Sequence, residues 1–142
     1  MISYTVGFLF STDADPRVVL IKKTHPDWQA GKLNGIGGKM AMTESPLECM
    51  IREFKEEAGV EIKNWEHFAT ITDKINFEVY FFRAFHPMYL LMECRTMTDE
   101  EIWTSCVSQL PHNVIENLKW LIPLALSKDN GIPLYIIERF KK

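Results

Sequence analysis

The chain has 142 residues, 46% of them hydrophobic and 25% charged, the make-up of an ordinary globular protein and too short for two typical domains, so one domain over residues 1–142 is expected. A formal charge of −3 excludes a broad binder of nucleic-acid backbone, whose affinity comes from many cationic contacts, and leaves open a small phosphorylated ligand. No apolar run is long enough for a membrane span, residues 1–10 carry no positive charge of a secretory leader, and Cys49, Cys94 and Cys106 form no close-spaced pair, so a cytoplasmic chain with reduced cysteines and no zinc site is expected.

Residues 4–10 and 17–23 read as strands joined by the turn-rich 11–16, which suits a hairpin or short connection. A brief strand over 33–36 delivers Gly37 and Gly38. The next element is a helix whose ends are written into the sequence. Ser45 suits the N-cap, Pro46 the first helical position, and Glu48 completes a capping box; residues 47–58 are rich in helix formers, and Gly59 stops the helix by tolerating a left-handed backbone. Strands over 66–72 and 77–85 follow, the second buried on both sides along part of its length. A short strand over 102–107, a helix over 114–127 and a last strand over 134–140 complete an α/β chain.

The helix over 47–58 has two faces. At about 100° per residue, Leu47, Ile51, Phe54 and Ala58 form the stripe expected to bury, while Glu53, Glu56 and Glu57 point elsewhere. Carboxylates crowded at helical spacing repel one another by a few tenths of a kcal/mol per pair. Acids of this kind are ordinarily solvated; a glycine-rich loop directly before them gives them another use. A Mg²⁺ or Mn²⁺ ion offsets the repulsion and bridges to phosphate oxygens. Arg52, four residues before Glu56, is placed to orient a carboxylate.

These residues resemble the box of the Nudix hydrolases, which cleave nucleoside diphosphates linked to another moiety. Gly38, Glu44, Arg52, Glu53, Phe54, Glu56, Glu57, Gly59 and Val60 fill the box positions with the family's spacing. The loop departs from the usual pattern: Ala41, Met42 and Thr43 precede Glu44 where relatives commonly carry an acid and a glycine. The resemblance implies a mixed β-sheet sandwiched between helices with a loop-helix-loop catalytic box. It implies metal held by Glu53, Glu56 and Glu57 with the Gly37 carbonyl, Arg52 orienting a carboxylate and Glu44 bracing the loop. It implies Mg²⁺-dependent hydrolysis of a nucleoside triphosphate to the monophosphate and pyrophosphate, with Mn²⁺ as a substitute.

In-line attack needs a base, either a box glutamate or a loop acid such as Glu100 or Glu101. Lys39 is placed to contact phosphate. The run 31–39 is similar to that of the oxidised purine nucleotide pyrophosphatases, in which an asparagine reads a base edge; Asn34 matches it here, and Asn117 falls where that subgroup has a second base-reading residue. Trp28 and Phe77 are stacking candidates as well as core candidates. Three readings follow: a nucleoside triphosphate pyrophosphatase for ordinary or oxidised nucleotides; a hydrolase of a nucleotide sugar, dinucleoside polyphosphate or ADP-ribose; and a binding module without turnover. The expected partner is a small nucleotide, with no nucleic-acid polymer and no membrane, and the state is monomer or homodimer.

Overall fold

The ten-residue strand β1 (Ile2–Ser11) organises the sheet. In the computed structural model, which describes residues 1–127 and 132–139, one edge of β1 pairs in parallel with the whole of β6 (Phe77–His86), from Ile2↔Phe77 to Ser11↔His86. The other edge is divided. Its first half pairs antiparallel with β4 (Ile36–Lys39) and its second with β2 (Arg17–Lys22), which makes the expected hairpin. β2 also carries β3 (Leu33–Asn34) and β7 (Ile102–Cys106). Beyond β6 lie β5 (Glu66–Thr72), antiparallel to it, and β8 (Leu134–Ile137), parallel to β5. The result is the mixed sheet that the sequence led us to expect, with helices α1 (Pro46–Ala58), α2 (Met88–Leu91) and α3 (Leu118–Leu126).

Strand alternation divides the core between the two faces of the sheet. Phe8, Phe10, Leu20, Leu33 and Phe81 pack with Leu118, Leu121, Ile122 and Ala125 of α3. Leu9, Val19, Ile21, Phe82 and Ala84 pack with Met50, Phe54 and Ala58 of α1 and with Leu91 of α2. Phe81 to Ala84 are buried from both sides, which is why the middle of β6 lacks alternation.

Several expected boundaries move. The strand expected over 33–36 breaks at Gly35 into β3 and β4, which serve different partners. The helix expected from Val114 begins at Leu118, because Leu33 and Val114 form a parallel bridge that holds Val114 out of the helix. Val107 leaves the strand expected over 102–107 to start a 3₁₀ turn over Val107–Gln109. The last strand ends at Ile137; Phe140, assigned to it from sequence, lies outside the described residues. Among the described residues no helix is long and apolar enough to cross a membrane.

A buried arginine ties α3 to the sheet. Arg83 of β6, 5% exposed, donates through Nε to Glu66 Oε1 at 2.6 Å and through Nη1 to the carbonyls of Ala125 and Ser127, each at 2.8 Å. A cation at a helix C-terminus complements its unsatisfied carbonyls. Replacing Arg83 with Met strips those carbonyls of their donor and is expected to cost about 2–3 kcal/mol in urea unfolding. An unchanged midpoint would show that the clasp is dispensable.

Candidate functional site

α1 begins and ends where its sequence dictates. Ser45 Oγ accepts from Glu48 N at 3.1 Å, and Glu48 Oε1 accepts from Ser45 N at 2.9 Å, closing the capping box. Gly59 ends the helix at φ 78°, a left-handed value that costs glycine nothing. Its buried residues are Cys49, Met50, Phe54 and Ala58. Leu47, assigned to the buried stripe from sequence, is 40% exposed. The docked face is rotated because α1 lies on β1 and β4, where Cys49 meets Thr5, their Sγ and Oγ1 3.2 Å apart. That rotation also swings Glu53 and Glu57 toward the sheet.

Arg52 gathers the loop and the helix acids. Its Nε and Nη2 grip both oxygens of Glu44 at 3.0 and 2.6 Å, while Nη1 donates to Glu53 Oε1 at 2.8 Å and Glu56 Oε2 at 3.2 Å. Glu44 also accepts from Ala41 N at 2.8 Å, so the loop before α1 is held to the helix. The Arg52 hydrogen bonds hold Glu44 down at about 2. The loop thus keeps a charged anchor although Ala41 supplies no acid.

Behind this ionic layer the environment reverses. Glu53 lies against Gly38 so closely that a Cβ there would come within 2.6 Å of its carboxyl carbon. Burial raises Glu53 against the pull of Arg52. Glu57 is pushed up to about 8, first by burial and then by the Glu53 charge, with Glu100 adding to the repulsion; Lys23 and a Gly37 backbone hydrogen bond oppose it. Its Oε2 is buried with no hydrogen-bond partner. An unpartnered buried carboxylate oxygen among like charges is costly, and a hard divalent cation is the species that satisfies such oxygens. Glu53, Glu57 and the glycine cradle therefore fit a Mg²⁺ or Mn²⁺ ion. Among the described residues no three His, Cys, Asp or Glu side chains converge into a ready-made cage, since Glu53 and Glu56 are turned onto Arg52. Cys49 is no rival nucleophile, for burial pushes its thiol up to about 11.

The two loop acids differ sharply. Glu100 is 3% exposed and accepts from Thr24 N at 2.7 Å, Thr24 Oγ1 at 3.2 Å and Lys23 Nζ at 3.1 Å. Burial alone would raise it, but these donors outweigh burial and hold it below the usual carboxylate range. Glu101 is exposed and lines an open cavity of about 380 Å³ with Lys22, Lys23, Thr24, Gly31 and Asp99. Sequence reasoning missed Lys23 and Thr24, which carry no motif and acquire their place only when β2 is set beside the residues leading into β7.

The remaining candidates are dispersed. Asn34 donates to Gln29 Oε1 at 3.1 Å and accepts from Gly35 N at 2.8 Å, so its amide is already engaged. Asn117 precedes α3 with Oδ1 buried and unpartnered. The segment leading to it is tied to the strand of Asn34 through Leu33 N to Asn113 O and Ile115 N to Leu33 O. Trp28 is 63% exposed, whereas Phe77 packs on the α3 side of the core. Lys39 is exposed, and its carbonyl accepts from Arg52 Nη2 at 3.4 Å.

Comparison with known proteins places this architecture. The NUDIX domain structure of Shewanella oneidensis NrtR complexed with ADP ribose is similar with a TM-score of 0.71 and 16% identity, over 88% of this chain and 86% of that one. An ADP-ribose pyrophosphatase from Streptococcus suis gives 0.68 and 17% identity over 95% and 98% of the two chains, and a MutT protein from Bacillus halodurans 0.66 and 20% over 95% and 87%. At these identities the likeness is one of fold. No curated protein sequence matches significantly. Residues 1–137, almost the whole chain, match the NUDIX domain family, and with the box residues gathered on one capped helix and its loop, the chain belongs to that family.

Proposed function

We propose that this NUDIX pyrophosphohydrolase converts a nucleoside triphosphate, an ordinary or oxidised deoxynucleotide, to the monophosphate and pyrophosphate. The observation that carries the reading is the buried, unpartnered Oε2 of Glu57 beside Glu53 and Gly37. Glu53, Glu56 and Glu57, with the Gly37 carbonyl, would hold a divalent cation, which would supply neutralisation of phosphate oxygens and acidification of water. Arg52 keeps Glu53 and Glu56 oriented, Glu44 fixes Arg52, and Lys39 reaches a phosphate. Glu100 accepts the proton of the attacking water; its buried, fixed carboxylate next to the charge field of Glu57 favours it over the exposed Glu101. Asn117, with a free amide oxygen, reads the base edge, with Asn34 in support and Trp28 or Phe77 stacking.

A second reading, hydrolysis of a linked diphosphate such as ADP-ribose, is favoured by the fold likeness to the ADP-ribose-bound NrtR domain. Pyrophosphate and phosphate release from canonical and oxidised nucleoside triphosphates, nucleotide sugars, dinucleoside polyphosphates and ADP-ribose, with Mg²⁺, Mn²⁺ or chelator, separates the readings. Metal-dependent pyrophosphate from a triphosphate is expected. Turnover of linked diphosphates alone supports the second reading, and silence across the panel would leave a binding module.

Metal and pH are linked at Glu57. Its folded value, about 8, lies above its ordinary 4.5, so the folded protein binds more protons than the unfolded one between those values. Stability from this group is therefore lost as pH rises through that window. Without metal, Tm is expected to fall across it; Mg²⁺, binding the ionised site, is expected to raise Tm more at the upper end than at the lower. A Mg²⁺ effect independent of pH would contradict the assignment.

A further inference from the structure

A carboxylate has about four lone-pair positions, and those of Glu100 are unequally filled. Both donors on Oε2 come from one residue, Thr24, through its N–H at 2.7 Å and its hydroxyl at 3.2 Å. Oε1 accepts only from Lys23 Nζ at 3.1 Å. One acceptor position is thus left open, and it belongs to Oε1. The backbone is anchored on either side, with Glu100 N donating to Thr98 Oγ1 at 3.1 Å and Lys22 N to Glu101 O at 2.8 Å.

The hydroxyl of Thr24 is itself held. Oγ1 lies 3.0 Å from Nδ1 of His25. Since Thr24 spends its one hydroxyl proton on Glu100, the imidazole must donate here, which assigns the proton to Nδ1. His25 Nδ1 is 3.7 Å from Glu100 Oε2, beyond hydrogen-bond length, so its effect reaches the acid through Thr24.

We propose that Thr24 is a positioning residue for the hydrolytic reaction: it saturates Oε2 of Glu100 so that Oε1 alone faces the attacking water. This rests on the reading of Glu100 as base. In the step, the water oxygen forms a bond to phosphorus and the bridging anhydride P–O bond breaks, its electron pair leaving with the departing phosphate group. The water proton goes to Oε1. Thr24 gives up no atom; it prevents the carboxylate from rotating out of line, an orientational contribution to the rate.

The test uses the full chain with Mg²⁺ and the best nucleotide of the substrate panel. Thr24→Val removes the hydroxyl and keeps the N–H. Its kcat is expected to fall about tenfold, the weight of one hydrogen bond to a charged group, with KM unchanged, and Thr24→Ser is expected to restore it. Thr24 is exposed, so the fold should tolerate both; Thr24→Ala repeats the loss should the valine variant fail to fold. Wild-type kcat in Thr24→Val or Thr24→Ala, or an equal fall in Thr24→Ser, overturns the assignment. Glu100→Gln tests the underlying reading separately: a fall of about 10²–10⁴ supports it, whereas wild-type turnover removes the base itself.

Discussion

Glu57→Gln is expected to lower kcat by about three orders of magnitude in Mg²⁺, the scale of losing one preorganised electrostatic stabiliser at a reacting centre. The same substitution is expected to raise Tm without metal near the upper end of the Glu57 titration, because glutamine carries no charge into the pocket that pushes this carboxyl up to about 8. Activity and metal-free stability thus move in opposite directions, which loss of folding cannot mimic. Glu56→Gln provides the contrast: its side chain is 55% exposed, so most of the metal-dependent rate is expected to go while metal-free melting stays near wild type. Wild-type turnover in purified Glu57→Gln would show that the buried carboxylate is not a metal donor.

Phe54→Ala is expected to destabilise the protein by about 3–5 kcal/mol, lowering Tm by roughly 10–15 °C for a chain of this size. Phe54 is fully buried, and its ring meets Trp65 at a centroid distance of 5.2 Å and a tilt of 60°, an aromatic contact that adds to the cost of truncation. The site depends on this contact indirectly, since Phe54 docks the helix whose adjacent residues are Glu53, Glu56 and Glu57. Leu47→Ala on the same helix, at a 40% exposed position, is expected to shift stability by no more than about 0.5 kcal/mol. Equal melting shifts for the two variants would refute the observed rotation of α1.

That rotation shows where sequence reading stops. The ends of α1 were legible because each cap is local: Ser45 pairs with Glu48 three residues on, and Gly59 N closes on Lys55 O four residues back. The docked face was not, because at about 100° per residue Leu47 falls inside the apolar stripe and Cys49 on the far side of it, yet Cys49 is the one buried, against Thr5 on a strand 44 residues away in sequence. α2 went unseen, for it is a single turn with no side-chain capping hydrogen bond. The start of α3 was misplaced for the opposite reason: the pattern at Val114 and Ile115 suits a helix, but a bridge to Leu33 prevails. Glu44, Arg52 and the acids Glu53, Glu56 and Glu57 could be picked out as candidates by their resemblance to the family's box. Thr24 could not, since only the approach of Glu100 gives an ordinary exposed threonine a function.

The parallel pairing of β1 with β6 bears on synthesis. Ile2 waits for Phe77 and Ser11 for His86, so every contact in the central pair closes a loop of 75 residues, and closure entropy must be met before the contacts return anything. The ribosome makes the acidic helix, complete at Ala58, before any of β6 exists. At about 5–20 residues per second, the nascent chain spends a second or more with Glu53, Glu56 and Glu57 already translated but with only one edge of their supporting strand available for pairing. The raised proton affinity of Glu53 and Glu57, which burial sets before any neighbouring charge, waits for the packed fold.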